Sequence, residues 1–435
     1  MSALAQVKAM EGRSVSGSDR DFDRGRNLDV KAKLEALGIK LFPQDGSGVN
    51  EETAELALST AIEDTNPEVL RAKERGLKIW HRSELLAAEV NGADTIAVAG
   101  TSGKSTVAAM LFCVLEAAGL EPSIITGGAL GQLRERGLIG NAFRGKGKIL
   151  VVEADESDGT IVRYMPKTGL LLNISKDHKE IEELNKIFTE FAGHCGRLLV
   201  NADDKPAAGL LPAAEVFGFN AGAWKVADVK TGPFSSDFKI NGVPFTLPAP
   251  GLYNIENALA ACAAASLYGA SLESCAAGLK SFRGVERRFV LVGEKNGVTV
   301  IDDYAHNPAK ITALLKALHQ APGRRLLAVY QPHGFTPTRH LKNELIESFV
   351  TGLNPADMLI MPQIYYAGGT VSKNISSNDI VSGVAEKGHS AVYYENRAEI
   401  PAALSKLARP GDIVAVMGAR DATLAEFAAQ ILKAL

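Results

Sequence analysis

The chain has 435 residues, of which 46% are hydrophobic and 22% are charged. This length exceeds the roughly 250–300 residues that one hydrophobic core usually organises, so we expect an α/β protein of two or three domains. The net charge of −3, from 47 basic and 50 acidic residues, disfavours a nucleic-acid-binding protein, because such proteins neutralise many phosphates with lysine and arginine.

The sequence carries none of the signals of membrane insertion or secretion. It lacks a run of about 18 apolar residues, and residues 1–30 lack the apolar stretch of a signal peptide. The cysteines show no Cys-x-x-Cys spacing, which favours buried free thiols over disulfides or zinc: Cys113, Cys195, Cys262 and Cys275. We therefore expect a soluble cytoplasmic protein with no membrane partner.

Residues 1–92 are typical of a nucleotide-binding domain that lacks its opening strand. The pattern predicts a helix over 2–10, a strand over 14–19, a second helix over 30–38 and a strand at 40–42. A doubly wound domain normally begins with a strand and a glycine turn before its first helix. We expect either that the printed start is internal to the natural reading frame or that the domain works without this strand.

A nucleotide-phosphate site is indicated between residues 95 and 111. An apolar strand over 95–99 precedes Gly-Thr-Ser-Gly-Lys-Ser-Thr at 100–106, which we name the phosphate-binding loop, and a helix follows from 107. Glycines let successive N–H groups face one anion, and the helix N-terminus adds a partial positive charge. Val98 stands where the common Walker pattern has its first glycine, so the loop is not typical of GTPases or kinases. The strand and helix around it disfavour a chance Gly-Lys-Ser triplet.

Two further polar segments follow predicted buried strands. The first, Glu-Ala-Asp-Glu-Ser-Asp at 153–158, comes after the strand at 148–153, and the second, at 173–178, ends in His178. A solvated acidic loop is the alternative for the first segment and an exposed histidine for the second. Because the carboxyl ends of parallel strands lie at one edge of a sheet, the segments together favour a magnesium–phosphate centre.

The remaining pattern predicts domains at 1–92, 93–284 and 285–435. Strands at 169–173 and 197–200 and a helix at 179–192 continue the central domain, and an alanine-rich helix covers 254–268. The last domain repeats the alternation of strand and helix. Its predicted strands are at 299–302, 325–330, 358–361 and 412–417, with helices at 308–319 and 396–407.

Ordered motifs across nearly the whole chain resemble those of the Mur ligase family, the ATP-dependent amide-bond ligases of peptidoglycan assembly. These motifs are residues 100–106, 153–158, 173–178, 251–257, 287–289 and 302–308. The resemblance implies a Rossmann-like UDP-sugar-binding domain with its first strand missing, a central P-loop ATPase-type domain with a mostly parallel sheet, and a Rossmann-like C-terminal domain. Segments 15–19, 153–158 and 331–333 resemble the branch that joins UDP-N-acetylmuramate to L-alanine.

The resemblance also implies roles for individual residues. ATP would be bound by Gly100, Thr101, Ser102, Gly103, Lys104, Ser105, Thr106, Asn257, Arg288 and Asp303. Ser105 and Glu153 would be magnesium ligands, and His178 would be a ligand of a second Mg²⁺. The catalytic residues would be Lys104, Glu153, His178 and His306, the last near the acceptor amino acid. The substrate would be contacted by Ser18, Asp19, His333 and Arg339.

Several departures from the alanine-adding branch leave the acceptor open. Residues 333–339 keep only the last of the arginines usual there, and Lys176 and Asn307 replace an acidic residue and a histidine. The glycine turn at 418–421 also differs. A ligase that recycles a ready-made tripeptide is the alternative within the family, and a non-catalytic ATP-binding regulator is the alternative outside it. Retention of Lys104, Glu153 and His178 favours an enzyme over a non-catalytic regulator. We expect the protein to be a monomer or a weak homodimer.

Overall fold

The computed structural model describes the chain except for residues 158, 176–179, 211–214, 321–322, 367–370 and 422. Contacts between residues divide the chain into two compact units. The first unit comprises Met1–Val229, Asp237–Pro248 and Leu252–Arg283. The second unit comprises Lys230–Ser236, Ala249–Gly251 and Gly284–Leu435.

The N-terminal region consists of short elements. They are α1 (Ser2–Met10), β1 (Ser16–Gly17), α2 (Arg20–Asp23), α3 (Leu28–Ala36), β2 (Lys40–Leu41), β3 (Glu55–Leu58), α4 (Pro67–Glu74), β4 (Lys78–His81) and α5 (Arg82–Gly92). β1 pairs in parallel with β2, and β3 with β4. The strand predicted over 14–19 is shorter, because the Asp19 side chain accepts the N–H of Asp21 at 2.8 Å and begins α2 instead.

The central region is built on a mostly parallel sheet. Its elements are β5 (Asp94–Ala99), α6 (Lys104–Ala117), β6 (Ser123–Ile125), α7 (Gly131–Glu135), β7 (Ala142–Phe143), β8 (Ile149–Ala154), a 3₁₀ turn (Thr160–Arg163), β9 (Thr168–Leu171), α8 (Ile181–His194), β10 (Arg197–Asn201), α9 (Lys205–Leu210), β11 (Glu215–Phe217), β12 (Val226–Thr231), β13 (Ser236–Ile240), β14 (Val243–Leu247), α10 (Leu252–Ser266) and α11 (Leu272–Lys280). The large sheet has the order β11–β10–β9–β5–β8–β6–β7, and β7 is antiparallel to β6.

The position of β5 in this sheet determines where the functional segments lie. β5 pairs in parallel with β8 on one side and β9 on the other, so that Ala99 lies opposite both Ala154 and Leu171. The loops that follow these strands therefore begin side by side. Residues 96–99 are fully buried, as the continuous apolar run predicts for a strand covered on both faces.

Helices cover the large central sheet. They also bury most of the cysteine thiols. Residues of α1, α5 and α8 pack in one core cluster with alternate residues of β5, β8 and β9. α6 packs against α10 and α11, and a Cβ on Gly278 would lie 2.7 Å from the Cys113 carbonyl oxygen, so glycine permits this close approach. All the cysteines are free: Cys113, Cys262 and Cys275 are buried, whereas Cys195 is half-buried.

The second unit contains another sheet with helices between its strands. Its elements are β15 (Val290–Lys295), β16 (Val298–Asp303), α12 (Pro308–Leu318), β17 (Leu326–Gln331), α13 (Phe335–His340), α14 (Lys342–Gly352), β18 (Met358–Pro362), α15 (Ser377–Glu386), β19 (Ser390–Tyr394), a 3₁₀ turn (Arg397–Glu399), α16 (Ile400–Leu407), β20 (Ile413–Gly418) and α17 (Leu424–Ala434). The order is β15–β16–β20–β17–β18–β19, with β15 antiparallel to β16 and the other neighbours parallel. Core clusters cover both faces. Within the described residues, no helix has the length and apolarity to cross a membrane.

Candidate ATP-binding and ligase site

The phosphate-binding loop joins β5 directly to α6. Gly100 and Gly103 have φ angles of +137° and +87°, which suit residues without a Cβ. A Cβ on Gly103 would lie 2.7 Å from Oδ1 of Asn257, so Asn257 lies against this turn. α6 begins at Lys104, and the Gly103 at its N-cap has no side chain to cap it. The N–H groups of its first turn are thus available to an anion.

Asn173, two residues beyond the end of β9, fixes the loop. Its Oδ1 accepts hydrogen bonds from the backbone N–H of Ser102 and the hydroxyl of Thr101, both at 2.9 Å. Its Nδ2 donates to the Ser102 carbonyl oxygen at 3.0 Å, and its own carbonyl oxygen accepts the N–H of Thr101 at 3.2 Å. The sequence motif contained Asn173 but did not assign it this role. These bonds hold the loop in one conformation.

Lys104 reaches the acidic segment that follows β8. Its Nζ donates to the Gly100 carbonyl oxygen at 2.7 Å and to Oε2 of Glu156 at 2.6 Å, and it lies 3.7 Å from Oδ1 of Asp155. Glu156 is buried, and burial raises the pKa of its carboxyl above the ordinary value although the nearby Lys104 opposes this shift. Part of the acidic run predicted to surround a cation thus surrounds the ammonium of Lys104.

Glu153 brings together the ends of three segments of the chain. Its Oε1 accepts the hydroxyl of Ser105 at 2.7 Å. Its Oε2 accepts the hydroxyl of Thr126 at 2.7 Å and the N–H of Gly127 at 2.8 Å. Sequence reasoning did not identify Thr126 and Gly127, although their position directly after β6 is a usable signal. A hydroxyl beside an oriented carboxylate is a donor set that suits Mg²⁺, which takes hard oxygen ligands.

The remaining predicted metal ligand is His178, which the resemblance assigns to a second magnesium ion. His178 lies outside the described residues, as does Asp158. Among the residues that are described, no group of three or more histidine, cysteine, aspartate or glutamate side chains is arranged to hold a metal ion. A Mg²⁺ ion held by the described donor set would take its remaining ligands from phosphate oxygens and water, which is usual for this ion.

In the second unit, Arg288 and Asp303 lie close together at the end of β16. The Arg288 guanidinium lies over the Tyr304 ring, with Cζ 4.7 Å from the ring centroid. Asp303 accepts the backbone N–H groups of Phe289 and Ala305, each at 2.7 Å. Burial raises the pKa of Asp303, and Arg288 and the two N–H groups oppose that shift. Asp303 thus organises the backbone around Arg288.

The rings of His306 and His333 lie next to each other. Their ring centroids are 5.6 Å apart, and Nδ1 of His306 lies 2.9 Å from the Tyr304 carbonyl oxygen. The hydroxyl of Tyr330, on β17, donates to the His306 carbonyl oxygen at 3.0 Å. Arg339, on α13, donates from Nη2 to the Ser372 carbonyl oxygen at 2.8 Å.

The predicted substrate residues of the N-terminal region contact other residues of that region. Asp19 caps α2, as described above. The hydroxyl of Ser18 donates a hydrogen bond to the Glu68 carboxylate. Burial raises the pKa of Glu68 above its ordinary value, although this hydrogen bond opposes the shift. Substrate binding by Ser18 and Asp19 stays a prediction.

Comparison with known proteins places the whole chain in one family. The model of the Mur ligase family catalytic domain matches residues 1–93, that of the Mur ligase middle domain 98–265, and that of the Mur ligase glutamate ligase domain 287–420. The chain belongs to the Mur ligase family. The fold class and family predicted from sequence are thereby confirmed for this Mur ligase.

Individual relatives cover almost the full length of the Mur ligase. A protein of Geotalea daltonii named UDP-N-acetylmuramate–L-alanine ligase is 34% identical over 440 residues, covering 96% of this chain and 92% of the relative. The solved UDP-N-acetylmuramate–alanine ligase of Thermotoga maritima has a TM-score of 0.78 at 24% identity, covering 100% and 96% of the two chains. A murein peptide ligase of Psychrobacter arcticus has a TM-score of 0.67 at 21% identity, with the same coverage.

Proposed function

We propose that this Mur ligase uses ATP and Mg²⁺ to join the carboxylate of UDP-N-acetylmuramate to the amine of L-alanine. The observation that supports this proposal most strongly is the full-length similarity to a relative named for that reaction. The phosphate-binding loop and the contacts of Lys104 and Glu153 are consistent with it, because they provide what an ATP-dependent ligase needs near a polyphosphate.

The reaction requires two displacements in one site. The muramoyl carboxylate attacks the γ-phosphorus of ATP and ADP leaves, which forms an acyl phosphate. The neutral amine of L-alanine then attacks the acyl carbon. The acyl C–O bond to phosphate breaks, and the amine nitrogen loses a proton as the amide forms and inorganic phosphate leaves. The protein must stabilise charge on the transferring phosphoryl group and exclude water from the acyl phosphate.

The first unit would bind the nucleotide phosphates. N–H groups of the loop and of the first turn of α6 would donate to phosphate oxygens, and Lys104 would donate from its ammonium. Thr101, Ser102 and Thr106 complete the loop. Asn257, which lies against Gly103, would contact adenine.

Ser105 and Glu153 are the described residues that would hold Mg²⁺, and His178 is the proposed ligand of a second Mg²⁺. The Glu153 carboxylate already has its orientation fixed by Thr126 and Gly127. Bound Mg²⁺ would neutralise developing charge on the phosphoryl oxygens. Removing one of these orienting bonds should weaken metal binding without removing a metal ligand.

The remaining predicted residues complete the proposal. Arg288 would contact the nucleotide and Asp303 would lie near the ribose. His306 would lie near the acceptor amine. The UDP-sugar and acceptor would be contacted by Ser18, Asp19, His333 and Arg339.

Phosphate release tests the proposal directly. Purified protein is incubated with MgATP and UDP-N-acetylmuramate, together with L-alanine, other amino acids or the peptidoglycan tripeptide, and products are identified by mass. We expect phosphate release and an amide product with L-alanine. Product with the tripeptide alone would replace L-alanine by the recycling acceptor. ATP binding without product from any acceptor would favour the non-catalytic regulator.

A further inference from the structure

Arg287 is buried beside the end of β16, in contrast to the half-buried Arg288 that follows it. Its side chain is 10% exposed, and its Nε lies 3.4 Å from both carboxylate oxygens of Asp302, whose side chain is 4% exposed. Nη2 donates to the Gly418 carbonyl oxygen at 2.8 Å, and Nη1 to that of Asp421 at 3.4 Å. One guanidinium thus ties the segment before β15 to the ends of both β16 and β20.

The backbone on either side of Arg288 is in the left-handed region. Arg287 and Phe289 have φ angles of +57° and +51°, a conformation that costs free energy for residues other than glycine. Hydrogen bonds hold both residues: the Arg287 carbonyl oxygen accepts the N–H of Tyr304 at 2.6 Å, and Phe289 N–H donates to Asp303 at 2.7 Å. The direction in which Arg288 leaves the backbone therefore depends on these anchors.

We propose that Arg287 and Asp302 are positioning residues for Arg288, holding the left-handed backbone from which Arg288 reaches the nucleotide. The inference rests on the proposed function, which gives Arg288 its contact with ATP. Arg287 itself is turned into the unit, where it bonds to Asp302 and to two carbonyl oxygens. Its effect on the reaction would be exerted through the placement of the next residue.

A second arginine–aspartate pair in the same sheet offers a control, with the Asp412 side chain 6% exposed and the Arg325 side chain 21% exposed. Arg325 donates from Nε and Nη2 to Asp412 at 3.2 and 2.6 Å, and from Nη2 to the Leu407 carbonyl oxygen at 2.8 Å. These residues immediately precede β17 and β20, so they lie at the edge of the sheet opposite Asp302 and Gly418. Loss of either pair should reduce stability, but only loss of Arg287 should disturb Arg288.

The first measurement is the dependence of ligase turnover on ATP in Arg287→Met and Arg325→Met. We expect kcat/KM for ATP to fall on the order of ten- to a hundredfold in Arg287→Met, since small misplacements of a substrate-binding group have effects of this size. KM for L-alanine should stay within about twofold, and Arg325→Met should keep both constants. Arg287→Lys keeps the charge but cannot span Asp302 and Gly418 together, so its kcat/KM for ATP should lie between those of wild type and Arg287→Met. This variant replaces Arg287→Met in the experiment if the methionine protein does not fold.

The second measurement is trypsin cleavage after Arg288, which does not depend on turnover. Each protein is digested at a temperature set the same number of degrees below its own Tm. Wild type and Arg325→Met should resist cleavage between Arg288 and Phe289, whereas Arg287→Met should be cleaved there. Identical kinetics and identical cleavage in the two methionine variants would overturn the inference. If wild-type protein shows no turnover, the proposed function fails. The cleavage experiment is independent of that result, and resistance of Arg287→Met to trypsin would still refute the anchoring role.

Discussion

Replacing Lys104 by methionine should separate its part in folding from its proposed part in ATP chemistry. Lys104 and Glu156 form a pair with Nζ 2.6 Å from Oε2, and their side chains are 12% and 6% exposed. Methionine keeps most of the aliphatic stem but removes the ammonium. Glu156 then remains as a buried carboxylate that has lost this counter-charge.

The expected loss of stability follows from this burial. Removing one partner of a buried ion pair costs about 3–5 kcal/mol, because the remaining charge stays desolvated. Burial already raises the pKa of Glu156, and loss of Lys104 should raise it further. A raised carboxyl pKa costs the folded state nothing below the unfolded-state pKa, and this cost grows with pH until it is complete above the folded-state pKa. The deficit of Lys104→Met should therefore be large at pH 8 and shrink at pH 5.

A double substitution identifies Glu156 as the source of the deficit. Lys104→Met/Glu156→Gln replaces the carboxylate by a neutral amide and should recover most of the lost stability at pH 8. Ligase turnover should stay reduced by 10²-fold or more in both variants, equivalent to about 3 kcal/mol, since the lysine is absent from both. Urea denaturation gives the free energies of unfolding, and phosphate release gives turnover.

A surface pair supplies the control for this experiment. Lys167 and Asp94 are 2.9 Å apart but 59% and 41% exposed, so Lys167→Met should cost less than about 1 kcal/mol. A double variant no more stable than Lys104→Met would refute the burial argument. Normal turnover in Lys104→Met would refute the phosphate role of the lysine.

Three further predictions concern the loop, the metal site and pH. Gly103→Ala should lower ATP affinity at least tenfold in isothermal titration, because its Cβ would meet an amide oxygen at 2.7 Å and its φ is +87°. Thr126→Val should raise the Mg²⁺ concentration for half-maximal turnover about 10- to 100-fold, since it removes a bond that orients Glu153, whereas Thr126→Ser should not. Burial, opposed by neighbouring arginine, raises the pKa of Asp302 from 3.8 to about 6. The folded state therefore holds this proton more tightly, so the unfolding free energy should fall by about 2 kcal/mol between those two pH values and by about 3 kcal/mol over the whole titration. Asp302→Asn should abolish this fall in urea denaturation.

The central architecture was predictable because the signals that specify it are local. A continuous apolar run at 95–99 predicts a strand covered on both faces, and glycines followed by Lys104 predict a turn into a helix. The structure has β5 and α6 at these positions. The ordered motifs identified the Mur ligase family for the same reason, since each is a short stretch whose chemistry is visible without its neighbours in space.

The partners of those residues could be found only from the tertiary structure. Asn173 holds Thr101 from 72 residues away, and Glu156 holds Lys104 from 52 residues away. Which carboxylate of an acidic run meets a lysine depends on strand register and loop conformation, neither of which a linear pattern specifies. The left-handed backbone at Arg287 is likewise stabilised by Asp302 and by carbonyl groups from another strand, so an arginine pair in sequence gives no sign of which member is buried. Local sequence thus determined the elements and their chemistry, whereas long-range packing determined each side chain's partner and its charge environment.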